Sequence, residues 1–109
     1  VERQGALCAA ARPRLDHWQG EDGVASITLR CADAAAAAAD GCYDCIHVAC
    51  AAPRIPPALL AALAPGGRML IPVGIDAQHL VRVARDVDGR IDQRRLWPVR
   101  FVPMLDGPS

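Results

Sequence analysis

The sequence predicts an α/β domain in which parallel strands are followed by an antiparallel C-terminal hairpin. Two observations lead to this fold class. In the first 74 residues, helical and extended stretches follow in the order helix, strand, strand, helix, strand, which is typical of a parallel sheet. Two strand-like runs then flank Asp88-Gly89, a dipeptide that favours a tight hairpin turn. We therefore expect a single domain over 1–109, with an α/β part at 1–75 and a hairpin at 76–109.

In the first part of the chain, the helical pattern covers residues 2–15, and Pro13 is expected to break it. Residues 16–23 are polar and contain glycine, so they predict a loop. Residues 24–31 alternate between apolar and polar side chains and predict a short strand. The alanine run after Asp33 is compatible with a short helix or a loose turn.

In the second part, residues 43–53 predict a buried strand that runs into a loop stiffened by proline. The prolines at 56–57 suit the first turn of a helix, and the glycines at 66–67 are placed to end it. The continuous apolar run at 68–74 predicts a strand covered on both faces. In the hairpin, Pro98 indicates an edge position or a bulge, because proline cannot donate a ladder hydrogen bond.

Composition narrows the class of protein. A chain of 109 residues that is 52% hydrophobic can build one core and is not expected to be disordered. Its 12 basic and 12 acidic residues give no net charge, so we expect neither a nucleic-acid nor a membrane partner. Five cysteines without the spacing of a disulfide framework indicate a reducing, cytoplasmic location.

Three cysteines and a histidine crowd into nine positions: Cys42, Cys45, His47 and Cys50. A zinc site needs its four donors within about 2.0–2.3 Å of one point. In an extended segment that rises 3.3 Å per residue, the first and last of these cysteines lie roughly 26 Å apart. We therefore predict no metal site; the cysteines and the histidine are expected to be buried strand residues.

With that strand in place, residues 43–74 resemble the second half of the protein-L-isoaspartate O-methyltransferase family. They carry a Tyr-Asp-x-Ile-x-Val strand, a small-residue loop ending in proline, a Gly-Gly turn and a strand ending in Pro-Val-Gly. The closing stretch 99–107 and, more faintly, residues 1–3 and 31–34 are also similar to that family. The resemblance implies the C-terminal portion of a Rossmann-like methyltransferase fold that binds S-adenosyl-L-methionine. The family's N-terminal glycine-rich cofactor loop would lie upstream of Val1.

The resemblance also implies site residues. Glu2 matches the acidic residue that accepts hydrogen bonds from the two ribose hydroxyls of the cofactor, and without the resemblance it would be taken for a solvated side chain. Asp33 matches the acidic residue that meets the adenine amino group, and it could equally cap the following helix. The predicted substrate-binding loop, at the end of the strand that starts at Tyr43, consists of Ala49, Cys50, Ala51, Ala52 and Pro53.

The activity implied is transfer of a methyl group to the carboxylate of isoaspartyl residues in damaged proteins, a repair reaction. No catalytic residue is predicted within this chain. We expect the chain alone to bind the cofactor weakly and not to turn over. Three alternatives stay open: another methyltransferase of the same fold, a non-enzymatic cysteine-rich metal or interaction module, and a degenerate fragment with no independent role. The sequence does not indicate an oligomeric state.

Overall fold

A computed structural model describes residues 1–19 and 26–105, and these fall into two compact units, residues 1–37 and residues 38–105. The helices are α1 (Gly5–Trp18), α2 (Ala34–Ala38) and α3 (Pro57–Ala61). The strands are β1 (Tyr43–His47), β2 (Leu63–Val73), β3 (Gln78–Arg85) and β4 (Ile91–Val99). Among the described residues, no helix combines the length and apolar character that a membrane crossing requires.

The four strands form one sheet in the order β1-β2-β3-β4. β1 and β2 are parallel, whereas β3 and β4 add to β2 in antiparallel order. The predicted fold class, with parallel strands leading into an antiparallel hairpin, is confirmed.

The hairpin turn lies at the predicted dipeptide. Gly89 has a φ of +87°, a left-handed conformation that glycine adopts without steric cost. The Asp86 carboxylate accepts hydrogen bonds from the N–H groups of Asp88 and Arg90, both at 2.9 Å, and so holds the turn closed.

β4 is an edge strand of the sheet, and its pairing with β3 slips between His79 and Val81, opposite Pro98. Both expectations for Pro98, an edge position and a bulge, are therefore confirmed. The strand ends at Val99, and the residues after it pair elsewhere in the same unit.

The core of the second unit lies on one face of this sheet. Met69 and Ile71 lie on the same face of β2, and Val83 of β3 stands directly opposite Met69. All three side chains are 0% exposed, and Leu59 of α3 packs against them. The short helix thus covers the Met69 face of the sheet.

α3 begins at its prolines as predicted, with Pro56 at the N-cap and Pro57 as the first helical residue. It ends at Ala61, so the prediction that the glycines at 66–67 end the helix is wrong. They lie within β2, where the register jumps from Tyr43–Leu63 to Cys45–Arg68. Gly66 has a φ of +80°, which lets the chain bulge out and rejoin the ladder.

In the first unit, α1 continues through Pro13 to Trp18, so the predicted break is wrong and part of the predicted 16–23 loop is helical. Proline cannot donate to the carbonyl four residues back, which belongs to Ala9. Ala9 is exposed, and water can therefore satisfy that carbonyl. The helix can continue past proline at this surface position.

The predicted strand at 24–31 is not formed over residues 26–30, and its first two residues lie outside the described part of the chain. Cys31 alone has strand pairing, as an isolated parallel bridge with Glu2. An extended segment becomes a strand only when a neighbour supplies a continuous ladder, and here the pairing extends over a single bridge. The alanine run forms the short helix α2, one of the two structures expected for it.

Candidate functional site

Glu2 is fixed by main-chain hydrogen bonds on both sides of Cys31. Its N–H donates to the carbonyl of Arg30 at 3.0 Å, and its carbonyl accepts from the N–H of Ala32 at 2.9 Å. The bridge is parallel, so both segments have their carboxyl ends on the same side. Asp33 follows two residues after the bridge. Of the two carboxylates predicted to bind the cofactor, Glu2 therefore belongs to the bridge itself and Asp33 lies at its carboxyl end.

The Glu2 carboxylate is half-buried and oriented from within its own segment: Oε1 accepts a hydrogen bond from the N–H of Gln4 at 2.9 Å. An ionised carboxylate has about four lone-pair positions, and this contact uses one of them. Acceptor capacity for the two hydroxyls of a ribose remains. The chemistry of this carboxylate thus fits the two hydroxyls of a ribose, and contact of Glu2 with a cofactor stays a prediction.

Asp33 begins α2. Its Oδ1 accepts from the N–H of Ala35 at 3.4 Å, and its carbonyl accepts from the N–H of Ala37 at 3.0 Å. The helix-cap role considered from the sequence is confirmed, although the side-chain contact is long for a hydrogen bond. A carboxylate in this role keeps acceptor positions for an amino group, so both roles are compatible; contact with adenine stays a prediction.

Cys8 lies beside Glu2 and was not singled out by the sequence. Its thiol donates to the carbonyl of Glu2 at 3.3 Å, and the residue is buried. Burial raises the pKa of Cys8 to about 11, and a hydrogen bond with the thiol of Cys31 and the negative charge of Glu2 act in the same direction. Cys8 is therefore a neutral thiol near pH 7. Only the fold brings together these two cysteines, which lie far apart in the sequence.

The predicted substrate loop, residues 49–53, belongs to the second unit and is fixed by backbone pairing on two sides. Ala52 donates to the carbonyl of Pro72 at 3.0 Å and accepts from the N–H of Gly74 at 2.9 Å. Ala51 donates to the carbonyl of Val102 at 2.8 Å and accepts from the N–H of Met104 at 2.8 Å. The loop thus continues from β1 past the end of the strand and lies between two other segments.

Exposure divides the five predicted loop residues. Ala51 and Ala52 are 2% and 1% exposed, Cys50 is half-buried, and Ala49 and Pro53 are exposed. The two buried alanines hold the neighbouring segments through their backbone hydrogen bonds. A larger side chain at either position would push those segments away. Ala49 and Pro53 have the surface that a bound peptide could contact, and substrate contact by this loop stays a prediction.

The side chain of Gln78 fixes the segment that covers Ala51, a contact that the sequence pattern did not indicate. Its amide accepts from the N–H of Phe101 at 2.7 Å and donates to the carbonyl of Phe101 at 3.0 Å. A glutamine amide can do both because it carries one acceptor and two donors. It replaces a strand partner where β4 has ended.

Of the cysteine cluster, Cys45 and His47 lie in β1 as predicted, whereas Cys42 and Cys50 lie outside it, and the predicted burial is wrong. Cys42, Cys45 and His47 are exposed, and Cys50 is half-buried. Cys45 and His47 pair with Arg68 and Leu70 of β2, so they face away from the Met69 side that α3 covers. Among residues 1–19 and 26–105, no three His, Cys, Asp or Glu side chains are grouped to hold a metal ion.

Comparison with known proteins gives a consistent result. A family model described as protein-L-isoaspartate(D-aspartate) O-methyltransferase matches residues 1–109. A protein-L-isoaspartate O-methyltransferase of Koribacter versatilis is 40% identical over 106 residues, which is 96% of this chain and 46% of that protein. One from Anaeromyxobacter dehalogenans is 42% identical over 111 residues, 99% of this chain and 52% of that protein. The chain spans about half the length of these relatives.

A solved structure agrees. The structure of a Plasmodium falciparum protein-L-isoaspartate O-methyltransferase, in complex with S-adenosyl-L-homocysteine, superimposes with a TM-score of 0.55 at 35% identity. The match covers 60% of this chain and 29% of that protein. The resemblance found in the sequence is confirmed: the chain belongs to the protein-L-isoaspartate(D-aspartate) O-methyltransferase family.

Proposed function

We propose that this chain forms the C-terminal portion of an S-adenosyl-L-methionine-dependent enzyme that methylates isoaspartyl carboxylates in damaged proteins. The observation that carries the proposal is the family match over residues 1–109 together with the fixed position of Glu2. Glu2 is anchored by two main-chain hydrogen bonds, and its carboxylate keeps free acceptor positions.

In this proposal the cofactor would supply an electrophilic methyl group, and the residues of this chain would hold the adenosyl part. Glu2 would accept hydrogen bonds from the ribose hydroxyls. Asp33 would accept from the adenine amino group while it continues to cap α2. The S-adenosyl-L-homocysteine bound to the Plasmodium falciparum relative, which is this cofactor without its methyl group, supports this choice of cofactor.

The acceptor needs no general base. A carboxylate with an ordinary pKa near 4 is already ionised near neutral pH, so it can attack without first losing a proton. The protein's contribution is then alignment, which can supply about 7–11 kcal/mol in a bimolecular step. The methyl ester would then close to a succinimide, whose hydrolysis returns some normal aspartate.

The 49–53 loop is suited to the isoaspartyl peptide. Its backbone is fixed on both sides, and its small residues let another chain approach closely. Ala49 and Pro53 present the accessible surface. We place the isoaspartyl-containing protein at this surface as part of the same proposal.

The isolated chain is expected to bind cofactor weakly and to lack turnover. This expectation is supported by its coverage of about half of each relative and by β1, which is an outer strand of the sheet with exposed side chains. An outer strand presents backbone groups that a further strand could pair with. A cytoplasmic location is also proposed, supported by the odd number and spacing of the cysteines.

A chimera tests the function. The segment of the Koribacter versatilis relative that matches this chain is replaced by residues 1–109, so that the relative supplies the remaining half. Methyl transfer to an isoaspartyl peptide is measured beside the same peptide with normal aspartate as the control substrate. We expect transfer to the isoaspartyl peptide alone. A folded chimera that methylates neither peptide, or both equally, would contradict the proposal.

A further inference from the structure

Two cysteines of the first unit lie against the same short bridge. Cys8 stands in the first turn of α1, and its thiol contacts the carbonyl of Glu2 at 3.3 Å. Cys31 is the bridge partner of that same Glu2. The residue that Cys8 contacts is thus the residue that Cys31 pairs with.

The bridge geometry sets the separation. Parallel bridge partners lie about 4.8 Å apart, so the backbone of Cys31 is one strand spacing from that of Glu2. The N–H of Glu2 bonds to Arg30 at 3.0 Å and its carbonyl bonds to Ala32 at 2.9 Å, which leaves Cys31 centred between the two contacts. The Cys31 thiol is also among the neighbours that raise the pKa of Cys8. The side chain of Cys8 and the backbone of Cys31 therefore meet at the same residue, Glu2, and from this we infer that the two sulfurs can pair.

The two thiols differ in how exposed they are to solvent. Cys31 is exposed, whereas Cys8 is buried at 4% exposure. An oxidant in solution therefore meets Cys31 first, and Cys8 is held beside it. The pair has the arrangement of an accessible attacking cysteine and a resolving cysteine.

We propose that Cys8 and Cys31 form a reversible disulfide when the protein meets a hydroperoxide, a redox-modification site beside the candidate cofactor carboxylate. The Cys31 thiol loses its proton, and its sulfur attacks one peroxide oxygen. The O–O bond breaks; with hydrogen peroxide the leaving hydroxide takes up the released proton as water, and Cys31 becomes a sulfenic acid. The Cys8 sulfur then attacks the Cys31 sulfur, and the S–O bond breaks. The Cys8 proton leaves with the hydroxide as a second water.

Two thiols thus supply two electrons, and the hydroperoxide is reduced. A small dithiol reverses the reaction by thiol–disulfide exchange. In the oxidised state Cys8 no longer donates a hydrogen to the carbonyl of Glu2, and a covalent bond joins α1 to the bridge. This inference goes beyond the proposed methyl transfer and does not depend on it.

Peptide mapping tests the site. The 109-residue protein is treated with hydrogen peroxide at low protein concentration, alkylated, digested with trypsin and examined without reduction. We expect peptide 4–14 joined to peptide 31–54, with fragment ions that place the bond on Cys31. Dithiothreitol should separate the two peptides, with recovery of both free thiols.

Matched variants sharpen the result. Cys31→Ser, at an exposed position, should remove the cross-link, whereas Cys42→Ser and Cys45→Ser, which change other exposed cysteines, should keep it. Retention of the cross-link in Cys31→Ser would overturn the proposal. So would oxidation of Cys31 to sulfinic acid while Cys8 stays a free thiol. Because this readout is a covalent bond and not activity, a failure here is distinct from a failure of the proposed function.

Discussion

In the second unit, residues 38–105, four strands share long ladders and bury a common apolar core, whereas in the first unit, residues 1–37, the described strand pairing is a single bridge. Both units carry predicted site residues. In the second unit the 49–53 loop is held by buried backbone pairing. In the first, Glu2 depends on two main-chain hydrogen bonds and the neighbouring thiol of Cys8. Stability should therefore be concentrated in the second unit.

The largest expected effect comes from the core of the second unit. Ile71→Ala removes most of a side chain that is 0% exposed, and it should lower the free energy of unfolding by about 2–5 kcal/mol. The matched control is Leu7→Ala in α1, where the side chain is 50% exposed and the change should be within about 0.5 kcal/mol. Urea unfolding followed by far-ultraviolet circular dichroism measures both. Equal losses in the two variants would contradict the contrast between the units.

A smaller effect is expected at the bulge in β2. Gly66 has a φ of +80°, so Gly66→Ala should cost roughly 1–2 kcal/mol although no atom lies within 4 Å of the added methyl group. Gly5→Ala in the first turn of α1 also meets open space, without a positive φ. It should be neutral or stabilising by up to about 1 kcal/mol. If both substitutions stabilise the protein in the same unfolding measurement, the left-handed conformation assigned to Gly66 is contradicted.

The smallest expected effect is the contribution of the Cys8 thiol to the pH dependence of stability. Its pKa is raised from 9.0 to about 11 in the folded chain, chiefly by burial. The unfolded chain therefore loses this proton first, and stability should fall as the pH rises from about 9 to 11. The urea midpoint of the natural sequence should fall more steeply over this range than that of Cys8→Ala, which lacks the group. Parallel pH profiles would mean that Cys8 is not held in its neutral form.

The sequence correctly predicted those features that depend on one or two neighbouring residues. The turn at Asp88-Gly89, the helix start at Pro56-Pro57 and the edge position of Pro98 each follow from the allowed dihedral angles or the missing N–H of the residue itself. The family resemblance likewise rested on a run of motifs along the chain, and the comparisons confirm it.

Contacts between residues that lie far apart in the sequence could not be predicted from local patterns. The burial predicted for Cys45 and His47 failed because the sequence does not say which face of the strand α3 covers. Alternation gives two faces but does not choose between them. The pairing of Gln78 with Phe101 and the approach of Cys8 to Cys31 join residues 23 positions apart in each case, and neither spacing forms a motif.

The most direct measurement is the affinity of the chimera for S-adenosyl-L-homocysteine, by calorimetry, with Glu2 and with Glu2→Gln. A hydrogen bond to a charged group contributes about 1.5–3 kcal/mol, so the substitution should weaken binding by about 10-fold to 100-fold. Asp92→Asn, which changes an exposed carboxylate on β4, is the matched control and should leave the dissociation constant unchanged. Equal affinity of the Glu2 and Glu2→Gln proteins would contradict the assignment of this carboxylate to the cofactor.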